Sequence, residues 1–276
     1  MPVIPSDRGD DLHNLGIADS ADLVLFVAGN QFMVMDELIS VFQEEHPDVK
    51  KIFYETLPPG LELKQILAGG AIFRDSVVDV TPDVYASVTV KAMERLEDVG
   101  FIDKGEYFLY LHNRIVFMVP EGNPANIMSV ADLGRDVVRI SQPNPEYEDI
   151  AYYIIDMYRQ AGGETLVHRI MEEKRAEGTT LLTVVHHRET PLRITKGTVD
   201  VGPVWATEVI HARQSNLSVD MVEPGEAFDQ RDKINYYVCR LKNAAHADNA
   251  DKFLAFVKSP RAQGIYAGHG FVPHFP

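Results

Sequence analysis

Short apolar runs alternate with segments of helical periodicity along this chain, and this alternation constrains the fold more than any other feature. Residues 23–28 form an apolar run with the length of a buried strand, which Gly29 and Asn30 end. Apolar side chains then recur at helical spacing before Pro47, namely Met35, Leu38, Ile39 and Phe42. A strand, a glycine turn and an amphipathic helix in succession predict an α/β protein, with a parallel sheet covered by helices on both faces.

The same alternation continues through the rest of the sequence. It predicts further strands at residues 51–54, 83–86, 114–119, 137–141, 181–185, 199–204 and 235–240. It predicts further helices at about residues 61–68, 90–96, 150–160 and 165–177, and two more that carry Phe253 and Ile265. Thr190 and Pro191 have the order of a helix cap and a first-turn proline, so we expect another helix to begin there.

Length and composition indicate a globular protein of two compact units. The chain has 276 residues, of which 45% are hydrophobic and 24% are charged. Residues 1–19 are polar and predict a disordered or loosely held leader, without the apolar core of a signal peptide. No run approaches the roughly 18 apolar residues that a membrane-spanning helix needs.

Charge and cysteine content argue against several classes of function. The 26 Lys and Arg residues stand against 41 Asp and Glu residues, which gives a formal net charge of −15. Nucleic acids and anionic membranes are bound mainly through Lys and Arg, so we expect no such partner. A small anion is still compatible, because backbone dipoles in a cleft can bind it. Cys239 is the only cysteine, so neither an internal disulfide nor a cysteine-rich metal site can form.

Four segments resemble, in order, the segments of one known family. Residues 26–30 stand where that family has an apolar strand ending in small residues and a serine. Residues 82–87 (PDVYAS) are similar to its ADVFAS segment, and residues 199–205 (VDVGPVW) to its G-x-x-D-x-G-I-V-Y segment. The C-terminal residues 250–273 are the most similar. The family is that of the molybdate-binding proteins, the periplasmic components of oxyanion ABC transporters, and the likeness runs from about residue 22 to 275.

The resemblance implies a type II periplasmic-binding fold, in which two lobes, each a mixed, mostly parallel sheet flanked by helices, are joined by a hinge. Lobe 1 would hold residues 20–112 and 241–276, and the inserted lobe 2 residues 113–240, after a leader at 1–19. The family also implies a solute-binding protein without catalytic activity or cofactor, which serves a membrane permease. We expect a monomer that acts in the periplasm or outside the cell after removal of an export signal.

Candidate ligand contacts in lobe 1 lie where strand ends meet helix N-termini. Unpaired backbone amides and the helix dipole favour an anion at such places. Gly29 allows close approach, Asn30 can donate from its side-chain amide, and Gln31 follows them at the start of the first helix. The alternative is a strand-to-helix turn without a ligand.

Lobe 1 has two further candidates. Gly60 departs from the family pattern, and Ser87 has two possible roles. Gly60 stands in a loop where the family has serines, so only the amides of Gly60 and Leu61 remain as donors there. Ser87, at the end of the third strand, contacts the ligand or caps the following helix.

Candidate contacts in lobe 2 also depart from the family. Arg188 stands before a helix N-terminus near Thr190. Its guanidinium would bind a carboxylate or phosphate in a bidentate geometry, through two parallel hydrogen bonds. Trp205 replaces the tyrosine whose hydroxyl contacts molybdate in the family, and offers one indole donor. A surface position for Arg188 and a core position for Trp205 are the alternatives. In the family, the loop at residues 147–149 donates backbone amides to the anion. In this chain the loop carries two carboxylates, which either cap the helix, face solvent or accept hydrogen bonds from ligand hydroxyls.

We therefore expect a small anion, either a tetrahedral oxyanion such as molybdate, tungstate or sulfate, or a small carboxylate. A metal site at His186 and His187 is not expected, because adjacent residues of a strand point to opposite faces. No phosphate-binding glycine motif is present. Two other functions stay open on this fold: a sensory module that passes closure to a signalling partner, and an enzyme.

Overall fold

A computed structural model describes residues 1–146 and 148–276, except for the side chains of His186 and His187. The chain divides into two compact units. Unit 1 comprises Met1–His112 and Asn235–Pro276, and unit 2 comprises Asn113–Ile234. The polypeptide therefore passes from one unit to the other twice.

Strands and helices alternate over most of the chain. The strands are β1 (Val3–Ile4), β2 (Leu12–His13), β3 (Leu23–Phe26), β4 (Ile52–Glu55), β5 (Ala71–Phe73), β6 (Ser76–Val78), β7 (Val84–Ser87), β8 (Tyr107–His112), β9 (Ile115–Pro120), β10 (Ile140–Gln142), β11 (Thr180–Leu182), β12 (Gly202–Trp205), β13 (Val219–Val222), β14 (Asn235–Arg240) and β15 (Val272–Pro273). The helices are α1 (Phe32–Glu45), α2 (Pro59–Ala68), α3 (Val90–Asp98), α4 (Ile150–His168), α5 (Lys174–Ala176), α6 (His186–Thr195), α7 (Ala206–Gln214), α8 (Ala247–Val257) and α9 (Pro260–Gly268).

The central sheet of unit 1 has the strand order β15-β8-β14-β7-β3-β4-β2. β3 pairs in parallel with β4 and β7 at its centre, while the other neighbours pair antiparallel. All four residues of β3 are buried, as expected for an apolar strand covered on both faces. The predicted α/β class is confirmed, but a parallel sheet holds only for these central strands.

The apolar face of α1 packs as its periodicity predicts. Met35, Leu38 and Phe42 are fully buried. The Phe42 ring lies 5.3 Å from the ring of Phe253 and 5.5 Å from that of Phe256, centroid to centroid. Both partners belong to α8, so the C-terminal segment completes the core of unit 1.

The prediction of a loosely held leader is wrong. β2 pairs antiparallel with β4 at the edge of the central sheet, and the amide of Thr56 donates to the carbonyl of Asp11 at 2.9 Å. β1 pairs in parallel with β5 in a small second sheet, where Ile4 is buried. The ordered strands have two residues each, too few to show a periodicity among polar neighbours.

Unit 2 contains an antiparallel sheet of order β12-β9-β13 and a parallel pair, β10 and β11. A parallel bridge between Ile140 and Val201 joins β10 to the segment that leads into β12. The predicted second lobe, 113–240, extends too far, because β14 pairs with β7 and β8 of unit 1. Unit 2 therefore ends at Ile234.

The helix expected to begin at Thr190 begins four residues earlier, at His186, and Pro191 lies inside it. The carboxylate of Glu189 accepts hydrogen bonds from the amides of Val184 and Val185 and so caps the start of α6. The cap is thus a glutamate that reaches backward, rather than the Thr190 hydroxyl.

Candidate functional site

Three helix N-termini of unit 1 follow three neighbouring strands. β7, β3 and β4 are parallel, so their carboxyl ends meet at one edge of the sheet. The chain continues from them into α3, α1 and α2 respectively. Backbone amides and the positive ends of three helix dipoles therefore gather at this edge, which favours an anion there.

The turn after β3 requires a glycine. Gly29 opens a short 3₁₀ turn, Gly29–Gln31, that leads into α1. A Cβ atom at Gly29 would lie 3.0 Å from the carbonyl oxygen of Thr56 and 3.3 Å from that of Leu57. The turns after β3 and β4 are thus in backbone contact, and a side chain at this position would separate them.

Asn30 and Gln31 have different positions. The Asn30 side-chain amide donates to the hydroxyl of Tyr236, and its Oδ1 has no hydrogen-bond partner among the described residues. Gln31 is fully buried, and its Oε1 accepts from the hydroxyl of Tyr110 at 2.8 Å. Only Asn30 is partly exposed, so it can contact a ligand directly. The sequence did not predict the Tyr236 contact, because that tyrosine comes from β14, far along the chain.

The first turn of α2 offers few donors. Gly60 is exposed, and a Cβ atom there would meet no atom within 4 Å. The amide of Leu61, expected as a second donor, already donates to the carbonyl of Pro58 at 2.8 Å. The hydroxyl of Tyr85 donates to the carbonyl of Pro59 at 2.9 Å and anchors the turn to β7.

Ser87 is placed at the last position of β7 and is buried. Its hydroxyl accepts from the amide of Thr89 at 3.4 Å, in the turn that leads into α3. The structure thus places Ser87 in a turn-forming contact next to the same sheet edge.

Two buried glutamates lie next to the turn after β4. Glu55 and Glu62 are both fully buried, and Oε1 of Glu62 accepts from the amide of Leu57 at 3.1 Å. Burial raises the pKa of Glu55 to about 8. Burial and the neighbouring Glu55 carboxyl raise the pKa of Glu62 well above its usual range. Burial therefore favours the neutral form of both carboxyl groups, which keeps negative charge out of this interior.

Unit 2 also has three strand ends that lead to helix N-termini. β10 is parallel to β11 and, through the Ile140–Val201 bridge, to the segment entering β12. These strands are followed by α4, α6 and α7. Helix N-termini are again gathered at the ends of neighbouring strands, the arrangement that binds anions in α/β proteins.

The start of α6 carries charges of both signs. Arg188 is half-buried in the first turn of the helix rather than ahead of it. Oε2 of Glu189 accepts from the amide of Val185 at 2.8 Å, and Oε1 accepts from the Arg193 guanidinium at 2.9 Å. An internal carboxylate therefore occupies backbone donors at this turn, a feature that sequence reasoning missed.

Thr190 and Trp205 face the interior of unit 2. Thr190 is fully buried, and its hydroxyl lies 2.9 Å from that of Ser141. Trp205 ends β12 at the start of α7, is 6% exposed, and has its ring centroid 6.3 Å from that of Tyr153. Thr190 therefore has no exposed surface for a ligand, whereas a small part of Trp205 remains exposed.

The loop before α4 supplies carboxyl groups. Oε2 of Glu148 accepts from the hydroxyl of Thr183 at 2.9 Å. Burial raises the pKa of Asp149. Tyr147, the first residue of the predicted loop site, lies outside the described residues. Glu148 is thus tied to the segment that precedes α6.

The helical backbone at His186 and His187 corrects the strand expected there. Their side chains lie outside the described part of the structure, so a metal role for them stays untested. Within that part, no group of three or more His, Cys, Asp or Glu side chains is arranged to hold a metal ion.

Comparison with known proteins adds a family and a fold. The family model described as "Bacterial extracellular solute-binding protein" matches residues 23–272. The protein named "Putative ABC transporter substrate-binding lipoprotein YvgL" of Bacillus subtilis (strain 168) is 23% identical over 208 residues, which are 74% of this chain and 72% of that protein. The sulfate-binding protein of Synechococcus elongatus is 24% identical over 229 residues, 78% of this chain, which spans only 65% of that relative's length.

Among solved structures, the Azotobacter vinelandii periplasmic molybdate-binding protein is similar, with a TM-score of 0.70 and 18% identity. The match covers 91% of this chain and 98% of that one. At this identity the likeness concerns the fold. The type II periplasmic-binding fold implied by the four sequence segments is thereby confirmed.

Proposed function

Because this chain belongs to the bacterial extracellular solute-binding proteins, we propose that it binds a small anion and delivers it to the membrane permease of an ABC transporter. The observation that carries the proposal is the gathering of helix N-termini at the ends of neighbouring strands in each unit. Such ends present backbone amides and positive partial charge, which anions satisfy without any cofactor.

The relatives support an anion as the ligand class. Their names refer to sulfate and molybdate, both oxyanions. In this chain, Arg188 in the first turn of α6 adds a guanidinium, which suits a carboxylate as well as an oxyanion. We therefore propose either a tetrahedral oxyanion or a small carboxylate.

Direct contacts are proposed for the residues that remain partly accessible at the strand ends, which are Gly29, Asn30, Gly60, Arg188 and Trp205. Gln31, Ser87 and Thr190 are proposed to hold these turns in shape, since each is buried and hydrogen-bonded within its own unit. The division follows exposure, because a side chain without accessible atoms acts on a ligand only through its neighbours.

The proposed place of action is outside the cytoplasm, as a monomer that docks to a permease. The described residues include no helix that is both long and apolar enough to span a bilayer. The family description and the lipoprotein relative support an extracytoplasmic position.

A thermal-shift screen tests the proposal. A ligand that binds only the folded state raises the melting temperature by mass action, so micromolar binders stand out at millimolar concentration. The screen uses molybdate, tungstate, sulfate and a set of small carboxylates, followed by calorimetry on each hit. We expect at least one anion to raise the melting temperature. No change in melting temperature with any oxyanion or carboxylate would contradict the proposal.

Arg188→Ala and Arg175→Ala extend the test to one residue. We expect Arg188→Ala to weaken binding of a carboxylate at least ten-fold. Arg175 is exposed in the same unit and serves as the control for the loss of one positive charge. Equal affinity in both variants would remove Arg188 from the proposed site.

A further inference from the structure

In each unit, a glutamate reaches back from the fourth position of a helix to the turn before it. Glu62 of α2 accepts from the amide of Leu57 at 3.1 Å. Glu189 of α6 accepts from the amide of Val185 at 2.8 Å and also from that of Val184. The chain's own carboxyl groups thus take up backbone donors beside two of the proposed ligand-binding turns.

The two glutamates differ in their surroundings. Glu62 is fully buried and has no cationic partner among the described contacts. Glu189 is half-buried and forms an ion pair with Arg193 at 2.9 Å, so it is a carboxylate. Of these two turns, only the one before α6 therefore has a glutamate that is bonded to its amides and also paired with an arginine.

A second carboxylate lies close to the same turn. Glu148 accepts from the hydroxyl of Thr183, the residue that precedes Val184. A helix N-terminus carries about half a positive charge, which a carboxylate bonded to the first amides offsets. Arg188, in the same turn, and Arg193, the partner of Glu189, each add one positive charge, so these groups together carry about half a positive charge. This balance suits a ligand with one negative charge better than a ligand with two.

We propose that Glu189 is a specificity-determining residue, whose carboxylate biases the α6 turn toward singly charged anions and against doubly charged oxyanions. The proposal rests on the proposed function and refines its ligand class. Its physical basis is Coulomb repulsion, which is twice as large for a dianion as for a monoanion at the same distance. The amides already bonded to Glu189 are also withheld from a ligand.

Glu189→Gln tests the proposal, because glutamine keeps an oxygen that accepts from the two amides and removes the charge. Calorimetric titrations of the wild type and the variant would use acetate and lactate as monoanions, and sulfate and molybdate as dianions, at one ionic strength. We expect the ratio of the sulfate to the acetate Kd to fall at least ten-fold in Glu189→Gln. Glu177→Gln is the matched control, since Glu177 pairs with Arg169 elsewhere in unit 2, and its ratio should equal that of the wild type.

Two results would count against the proposal in different ways. A wild type that prefers sulfate or molybdate, with the same ratio in Glu189→Gln, overturns the role of Glu189 while the proposed anion-binding function stands. A wild type that binds none of the anions overturns that function, and this inference with it. Circular dichroism verifies folding, and Glu189→Ser, which is neutral but too short to bond the two amides, gives the same expected direction if Glu189→Gln does not fold.

Discussion

Gln65 donates a hydrogen bond from its side-chain amide to Oε1 of Glu55, across 3.0 Å in the interior of unit 1. The other two oxygens of the pair, Oε2 of Glu55 and Oε1 of Gln65, are buried and have no hydrogen-bond partner among the described residues. Both are hydrogen-bond acceptors, and a proton on the carboxyl group of Glu55 would supply a donor between them. A proton on Oε2 makes Glu55 the donor that Gln65 lacks, in agreement with the pKa of about 8 for Glu55.

The stability of the protein is therefore expected to fall as pH rises from mildly acidic to mildly basic values. The pKa of Glu55 is near 4.5 in the unfolded chain and about 8 in the folded one. Between these values the folded state binds the extra proton, so the free energy of unfolding decreases by up to about 1.4 kcal/mol per pH unit for this group. The stabilisation is complete below the lower value and is lost above the upper one. Urea unfolding across this range measures the slope.

Glu55→Gln should remove much of that slope. A glutamine at this position can accept from the side-chain amide of Gln65 and donate to its Oε1, and it does not titrate. We expect the variant to exceed the wild type in unfolding free energy near pH 8 by about 2–4 kcal/mol. Glu94→Gln, on the exposed face of α3, should leave the slope unchanged. An unaltered slope in Glu55→Gln would show that Glu55 is ionised in the folded protein.

Gly29→Ala should weaken both the fold and ligand binding. The added Cβ would press on the backbone carbonyls of Thr56 and Leu57, at a cost of about 1–3 kcal/mol. Separation of the two turns should lower anion affinity at least ten-fold, as measured by calorimetry. Gly60→Ala is the control, because the space around Gly60 is open and alanine favours a helix, so its stability should be equal or slightly higher. Equal stability of the two variants would contradict the close contact.

The methyl group of Thr190 fills the space that a side chain at Gly202 would need. A Cβ at Gly202 would lie 2.3 Å from Cγ2 of Thr190, so Gly202→Ala should lower the unfolding free energy by about 1–3 kcal/mol. Thr190→Ser removes the methyl and keeps the hydroxyl for Ser141. The double variant should recover at least about 1 kcal/mol relative to the sum of the single changes, in a double-mutant cycle. Strict additivity would be the contrary outcome.

Lys174→Met should destabilise unit 2. The Lys174 side chain is fully buried, and its Nζ donates to the carbonyls of Arg135 and Val138, each at 2.7 Å. Loss of the donor leaves buried carbonyls without partners, which costs about 3 kcal/mol. Lys196→Met, on an exposed position of the same unit, should change stability by less than about 0.5 kcal/mol in the same urea experiment.

The centre of unit 1 could be predicted because a strand buried on both faces is apolar at every position, and residues 23–26 display this locally. The strand at residues 235–240 was also predicted, but not the unit to which it belongs. That assignment depends on pairing with Val84 and Tyr85, about 150 residues away in sequence, and local periodicity contains no information on such a partner.

The site was predictable at the level of turns and less so at the level of side chains. Gly29 and Asn30 predict a strand-to-helix turn, because both residue types favour turn conformations. Whether Gln31 faces outward depends on Tyr110, which binds it from a distant strand. The start of α6 was predicted at the wrong residue because Thr190 and Pro191 have the sequence pattern of a helix start. The actual cap is Glu189, whose side chain accepts from the amide of Val185, four residues earlier in the chain.

The place of β14 in the sheet has a consequence for synthesis on the ribosome. β14 lies between β8 and β7, so those two strands lack their shared neighbour until residues 235–240 have been translated. Residues 113–234, by contrast, are contiguous and are available in full before β14 emerges. Domains generally fold as units during translation. Unit 2 can therefore fold on the nascent chain before residues 235–276, which complete unit 1, have been translated.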